Sequence, residues 1–462
     1  MALHHQHLKR CLTAIKAVDE RLHVIESQDM TQLEPNPTNI RLVTYNVLAD
    51  CYVRHHLRNE EKRKHYFGDI PEEHLQWSHR WPCIQQEVRR LKGDIVCMQE
   101  VEFAKFDDEF CPFMQSLGYD RCIMQNDTNR EPDHPVGVAI FLRSARFEVT
   151  KEHHRSRALI LGLQDRVTST SLALANCHLI AQASREADRL RQAESVMRLV
   201  ERLNADATVV LGDFNDEEHT RCVRYVLQQT LALRAGAPHA QALEAQGQSV
   251  FASTSSSGGP EGEAPAEEES DAEGDATEAT EASAAADEVV ASLDGHRLLM
   301  YSAYENVDLF TFVARYLVSR MDHVLLSSNC ELVARHAPFA PETRDAVLAH
   351  LLPSAQHGSD HLPVAVEVRI DREVVCRAAT PETDRVDPAL YMTSELVAEW
   401  QQLLRQAPPR PKGGKPTGAE LARLKAFAED KRQLLATLPE SARPLLKRVT
   451  LETDPATVVK SS

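Results

Sequence analysis

The chain has 462 residues, 42% hydrophobic and 26% charged, with a formal net charge of −17. No apolar run reaches membrane-spanning length and no secretory h-region opens the chain. One large intracellular α/β domain with appendages is therefore expected, with no membrane association. Twelve acids and no Lys or Arg fall in residues 261–288, so the rest of the chain carries only −5 and charge does not exclude nucleic acid.

Residues 1–39 read as an N-terminal helical extension, with Leu8, Leu12, Ile15, Leu22 and Ile25 on one stripe. Lys9, Arg10 and Lys16 precede the first acid, Asp19, so a mitochondrial presequence is the alternative to a stripe packed on the domain or a partner. The ten cysteines include no C-x-x-C pair, which disfavours zinc and fits a reducing, cytoplasmic setting. Asn36-Pro37 breaks the chain before the core domain, expected over 40–371.

Strand and helix patterns then alternate. Arg41–Asn46 is a strand ending in an amide, and a helix-prone stretch holds Trp77, Arg80, Ile84, Val88 and Leu91. Asp94–Gln99 is a strand running into Glu100, and Val136–Leu142 is another. Ser171–Asn176 leads to His178, and Glu186–Leu203 is a helix. In Thr208–Asn215, three apolar residues (Val209, Val210, Leu211) suit a strand buried on both faces, and Gly212 lets the backbone turn. Side chains two apart on an extended segment point the same way, so Asp213 and Asn215 are expected to converge.

Residues 228–297 are rich in Ser, Gly, Ala and Glu, with no Lys or Arg between Arg234 and Arg297. Such a tract buries too little apolar surface to offset ordering entropy and reads as an acidic, disordered insertion. The fold resumes at Leu298, with Met321-Asp322-His323 opening a strand and Ser359-Asp360-His361 leading into Leu362–Val368. Residues 372–462 form a C-terminal helical extension. Its helices, Ser394–Gln406 and Thr417–Leu438, are separated by a Pro/Gly/Lys linker, and Thr417 and Glu420 make a capping box. Both extensions cover the core or dock it into a ribonucleoprotein or protein complex.

Asn46, Glu100, His178, Asp213, Asn215, Asp322, Asp360 and His361 all stand beside buried apolar runs, where a sheet presents them at one edge. These types suit hydrolysis of a phosphate ester. Glu100 and Asp360 are hard oxygen ligands for Mg²⁺, with Mn²⁺ as a substitute. Asp213 orients and deprotonates a water, with Asn46 and Asn215 fixing water and phosphate. His178 and His361 donate to nonbridging oxygens, and Asp322 sets the tautomer of His361 and keeps it cationic.

The chain resembles the endonuclease/exonuclease/phosphatase superfamily in its deadenylase-like branch. The likeness rests on Tyr45-Asn46-Val47-Leu48, on Trp77 with Arg80 and Ile84, and on Asp94–Glu102. It extends through Gly118-Tyr119-Asp120, Asn176-Cys177-His178-Leu179, Ala187-Asp188 with Arg191, Gly212–Asn215, Asp322 and Ser359-Asp360-His361. The resemblance implies a four-layer sandwich of two mainly antiparallel sheets flanked by helices (DNase I-like). It also implies an Mg²⁺-dependent 3′-to-5′ exoribonuclease acting on single-stranded RNA or poly(A). Phosphates of such a strand meet local cations, for which Arg143, Arg191 and Arg320 are the candidates.

Val136-Gly137-Val138 and Met321-Asp322-His323 depart from the branch pattern near the substrate. A small phosphate ester (a dinucleotide, cyclic phosphate or lipid headgroup) is therefore the alternative substrate. A non-catalytic scaffold is the alternative role.

Overall fold

The computed structural model describes residues 2–126, 135–236, 296–339, 343–378, 394–408, 423, 426–431 and 434. They fall into two units, Met1–Ala378 and Ala379–Ser462.

In the first unit the strands are β1 (Ser27–Gln28), β2 (Ile40–Asn46), β3 (Ile95–Glu102), β4 (Arg121–Met124), β5 (Val136–Leu142), β6 (Phe147–Arg155), β7 (Ala158–Asp165) and β8 (Thr170–His178). They continue with β9 (Ala207–Asp213), β10 (Met300–Ser302), β11 (Phe312–Val313), β12 (Val318–Ser319), β13 (Asp322–Ser327), β14 (Cys330–His336) and β15 (Val364–Ile370). Seven strands form one sheet in the order β1-β14-β15-β2-β3-β5-β4, and six form a second in the order β10-β13-β9-β8-β7-β6. Among the described residues, only the pairs β1/β14, β2/β3 and β8/β9 are parallel. This is the DNase I-like architecture.

Alternation along the central strands explains the layers. Leu42 of β2, Ile95 and Cys97 of β3, Leu172 and Leu174 of β8, Val209 and Leu211 of β9, and Val324 and Leu326 of β13 share one buried cluster between the sheets. The intervening residues face outward onto helices. Val43, Tyr45, Val96 and Met98 meet Ile84, Val88 and Leu91 of the helix Trp77–Leu91. Ala173, Ala175 and Val210 meet Val196, Val200, Val223 and Val226 of the helices Glu186–Leu203 and Arg221–Gly236. Both faces of each central strand are thus dry, which is why these strands read as continuous apolar runs.

The N-terminal helix Ala2–Val24 buries Cys11, Ala14, Ile15 and Val18, and Cys11 and Ile15 pack on Leu299. Leu12 is turned out of the expected stripe and is 36% exposed. The helix Arg221–Gly236 carries regular structure past residue 228, the expected start of the insertion, because Val223, Val226 and Leu227 anchor its first turns. Residues 237–295, with the acidic tract, lie outside the described residues.

The first unit also runs beyond residue 371. The Leu299 N–H donates to the Cys376 carbonyl (2.9 Å) and the Ala378 N–H to the Arg297 carbonyl (2.7 Å). In the second unit, the helix Ser394–Arg405 buries Val397 and Trp400, and Lys431 Nζ lies 5.0 Å from the Trp400 ring. The capping box Thr417/Glu420 lies outside the described residues. No helix among the described residues is long and apolar enough to cross a membrane.

Candidate active site

The strand register brings the polar residues together. In parallel β8 and β9, His178 stands opposite Asp213, and in antiparallel β9 and β13, Asp213 stands opposite Asp322. Each shares the parity of the inter-sheet residues of its own strand, so all three point into the gap where the sandwich opens. Asn46 does the same at the end of β2 in the other sheet. Its Nδ2 crosses the gap to Asp213 Oδ2 (2.9 Å) and also reaches Glu100 Oε1 (3.2 Å).

Glu100 needs a different device. Parity gives the inward position to Gln99, whose Nε2 donates to Thr44 Oγ1 (3.0 Å) and Asn176 Oδ1 (2.6 Å). The pairing of β3 with β5 shifts between Met98 and Val101, a bulge, and Glu100 adopts φ +59°. The extra residue re-aims Glu100 from the helix face into the gap, where the Ala49 N–H donates to its Oε2 (2.9 Å). Asn176 ties the sheets together beneath it by donating to the carbonyls of Met98 (3.0 Å) and Ala139 (2.9 Å).

Asp213 and Asn215 are neighbours for a reason other than the one expected. The strand ends at Asp213, and Asn215 takes φ +50° instead of extended geometry. Its N–H donates to Asp213 Oδ1 (2.8 Å) and its Nδ2 to the Leu179 carbonyl (2.9 Å), a local turn that buttresses the carboxylate. At Gly212, with φ +128°, a Cβ would lie 2.1 Å from the Cys177 carbonyl oxygen, so close approach of β8 and β9 excludes any side chain there.

Asp360 and His361 arrive on the loop before β15. Ser359 Oγ pins that loop by donating to the Asn46 carbonyl (2.7 Å), and Arg80 Nη1 reaches the carbonyls of Leu48 (2.7 Å) and Gly358 (3.0 Å). His361 Nδ1 lies 2.7 Å from Asp322 Oδ2, and its Nε2 lies 3.7 Å from Asp213 Oδ2. His178 Nε2 is 3.8 Å from both Glu100 Oε1 and Asp213 Oδ2.

The electrostatics follow from burial. Burial lifts the Asp213 carboxyl to about 7, opposed by the His361 cation and reinforced by Asp322. Burial also raises Glu100, with the charge of Asp360 adding to it, and raises Asp360 despite the nearby His361 and Arg80. For His361, burial alone would favour the neutral ring, but Asp322 and Asp213 outweigh it and lift the imidazolium to about 10.

Two confined carboxylates, each resisting ionisation, suit a divalent cation between them. Their oxygens favour Mg²⁺ or Mn²⁺ over softer-ligand metals. No group of three or more His, Cys, Asp or Glu side chains spaced for one ion occurs among the described residues. A cation here would therefore complete its shell with water and phosphate, as Mg²⁺ commonly does.

The three arginine candidates separate. Arg143 follows the end of β5 that pairs with Ile95, at the opposite end of the strand from Glu100, and its guanidinium lies 4.5 Å from the Tyr119 ring. Arg320 is drawn into the protein, donating to the Tyr304 carbonyl (2.6 Å) and pairing with Glu218. Both guanidiniums are taken up by other partners, because a lone cation in sequence does not reveal which ring or carbonyl cage will claim it. Arg191 is exposed and paired with Asp188. The hairpin β6–β7, which brings Arg155 and Arg157 to one cleft with Arg191, is not among the expected elements; the apolar run Ala158–Leu163 was its available signal.

No protein-family model matches the chain. It is 26% identical to mouse protein angel homolog 2 over 196 residues, 38% of this chain and 34% of that protein. It is 27% identical to Xenopus laevis nocturnin over 233 residues, 45% of this chain and 56% of that protein. The chain thus spans about a third of the first of these relatives and about half of the second. Among solved structures, it superposes on ANGEL2, described as a 2′,3′-cyclic phosphatase in complex with adenosine-2′,3′-vanadate. The TM-score is 0.52 at 18% identity, over 72% of this chain and 96% of that one. The chain is thus similar to proteins of the deadenylase-like branch of the endonuclease/exonuclease/phosphatase superfamily and shares their fold.

Proposed function

We propose that the chain is a divalent-metal-dependent phosphodiesterase that trims single-stranded RNA from its 3′ end, releasing 5′-nucleotides. The observation that carries this reading is the setting of Asp213. A buried carboxylate at the mouth of the sandwich is held by Asn46 and by the Asn215 N–H and is flanked by both histidines. Glu100 and Asp360 would hold the cation, which when bound polarises the phosphoryl group and offsets developing negative charge.

The remaining steps belong to side chains. Asp213 accepts a proton from the attacking water, and burial tunes its basicity to the neutral range. The amides of Asn46 and Asn215 fix the geometry of that carboxylate. His361, kept cationic by Asp322, presents Nε2 to a nonbridging oxygen as charge grows there, and His178 Nε2 does so from the other side. Outside them, the Phe312 ring sits 4.9 Å from the His361 ring, and half-exposed Tyr316 lies 6.1 Å from Phe312. This is an aromatic rim on which a base can stack.

Ribonucleotide chemistry is supported by the branch and by the adenosine ligand of the ANGEL2 structure. The same ligand favours one second reading, hydrolysis of a 2′,3′-cyclic phosphate end. None of the ten cysteines is in a disulfide, which supports a reducing, cytoplasmic setting. The test is to incubate the protein with 5′-labelled oligo(A), mixed-sequence RNA and a 2′,3′-cyclic-phosphate oligonucleotide, with Mg²⁺ or with EDTA, beside Asp213→Ala. Stepwise shortening from the 3′ end that needs Mg²⁺ and Asp213 is expected. Removal of the cyclic phosphate alone establishes the second reading, and no reaction on any of the three refutes both.

A further inference from the structure

The helix Trp77–Leu91 carries a fully buried cation, Arg80, that no step of the reaction uses. Its ion pair with Asp50 is long, with Nη2 3.8 Å from Oδ1. Burying a guanidinium is costly, and burial pulls the basicity of Arg80 down. Its close partners are backbone carbonyls. Nε donates to Leu75 (3.2 Å), and Nη1 donates to Leu48 (2.7 Å), Gly358 (3.0 Å) and Val47 (3.3 Å).

Two of those carbonyls stand directly behind the proposed cation ligands. Leu48 precedes Ala49, whose N–H donates to Glu100 Oε2 (2.9 Å). Leu48 takes φ +50°, a left-handed conformation that is costly for a residue other than glycine. Its N–H donates to Asn46 Oδ1 (3.0 Å) while Arg80 holds its carbonyl, so the turn is fixed at both ends. Gly358 lies two residues before Asp360. A Cβ there would sit 2.3 Å from the Arg80 carbonyl oxygen, so the loop rests on the helix backbone at the residue whose side chain grips it.

Glu100 is delivered by the bulge in β3 and Asp360 by the loop before β15, and β2 lies between those two strands. Nη1 ties the turn after β2 to that loop, and so links the supports of both carboxylates. We propose that Arg80 is a positioning residue that sets the spacing of Glu100 and Asp360 for a divalent cation without touching it. This rests on the assignment of those two acids to the cation.

Arg41 supplies the matched comparison. It is equally buried and donates to the carbonyls of Met30, Leu91 and Leu33, but it pairs with Glu367 (2.9 Å) and sits at the opposite end of β2 from Asn46. Losing either fork strands carbonyls in the interior. Only the loss of Arg80 reaches the two acids.

The test is Mn²⁺ binding to the full chain without RNA, read by electron paramagnetic resonance of the free ion at a temperature where each variant is folded by circular dichroism. Arg80→Lys keeps the charge and loses the planar fork. It is expected to weaken Mn²⁺ binding roughly 10–100-fold, as removal of a group that orients metal ligands does. Arg41→Lys is expected to lower the melting temperature and leave Mn²⁺ affinity unchanged. Gly358→Ala leaves both charges in place and pushes the Asp360 loop off the helix, so it too should weaken Mn²⁺, and it decides the matter if Arg80→Lys does not fold.

Wild-type Mn²⁺ affinity in Arg80→Lys would overturn the proposal, as would equal losses in Arg80→Lys and Arg41→Lys, which mark a merely structural role. Unchanged affinity in Gly358→Ala would overturn it too. Mn²⁺ binding that Glu100→Gln abolishes but neither Arg80→Lys nor Gly358→Ala weakens refutes the positioning role alone. Wild-type binding that is absent, or indifferent to Glu100→Gln, refutes the assignment of the acids to the cation and the positioning role with it.

Discussion

His361 sits between two acids, with Nδ1 2.7 Å from Asp322 Oδ2 and Nε2 3.7 Å from Asp213 Oδ2. The near contact is a charge-assisted hydrogen bond that fixes the ring and leaves Nε2 as the group facing substrate. Asp322→Asn keeps the shape and removes the charge. The His361 titration, about 10 in the intact protein, should then fall by roughly 1–3 pH units. Hydrolysis at pH 8 should drop by roughly 10²–10⁴-fold. Histidine NMR titration of wild type and variant checks this; an unmoved His361 titration would show that Asp322 does not hold the imidazolium.

The buried carboxylates make stability depend on pH in a stated direction. Asp213, Glu100 and Asp360 bind protons more tightly folded than unfolded. Their contribution is complete below the unfolded carboxylate value of ~4 and drains as pH rises, for Asp213 toward about 7. His361 contributes fully below ~6.5, and that contribution drains as pH rises toward about 10. A bound cation favours the ionised carboxylates, so the increase in Tm on adding Mg²⁺ should be larger at pH 8 than at pH 5. Calorimetry with and without EDTA measures it; an increase independent of pH would contradict the assignment of these acids to the cation.

Gly212 is where β8 and β9 come too close for a side chain. Gly212→Ala would set a Cβ 2.1 Å from the Cys177 carbonyl oxygen at φ +128°, with backbone as the obstruction. A loss of roughly 4 kcal/mol or more, or failure to fold, is expected. Chemical denaturation checks it, and a loss under ~1 kcal/mol would mean that the strands can part.

Arg320 offers the opposite test. Its guanidinium serves the Tyr304 carbonyl and Glu218, and burial lowers it to about 10. Arg320→Ala removes the cation beside partly buried Glu218 and the donor to the Tyr304 carbonyl, and should cost about 1–3 kcal/mol. Oligonucleotide affinity in EDTA should not change. A variant that melts like wild type but binds RNA less well would restore Arg320 to the substrate surface.

The parts of this site legible in the sequence are those fixed by strand parity. Asn46, His178, Asp213 and Asp322 each end or open a run buried on both faces, and two-residue alternation alone assigns them a common side. Glu100 is legible as a strand-end acid, but its arrival depends on a bulge against β5, which is a property of the pair and not of β3. Asn215 lies beside Asp213 through a left-handed turn, where extended geometry is the expectation from sequence. The arginines are least legible. Arg143 and Arg320 are claimed by Tyr119 and by Tyr304 with Glu218, partners that local sequence does not encode. Arg155 and Arg157 gain meaning only when β6 and β7 fold back beside the helix at Glu186.

The central claim is that Glu100 and Asp360 share a divalent cation within reach of Asp213. Crystals grown with Mn²⁺ and measured for anomalous scattering test it directly. The account predicts one strong peak in the gap between the sheets, bonded to carboxylate oxygens of Glu100 and Asp360 and abolished in Glu100→Gln. Manganese bound elsewhere with that gap empty at saturating concentration, or a peak that survives Glu100→Gln unchanged, would contradict it.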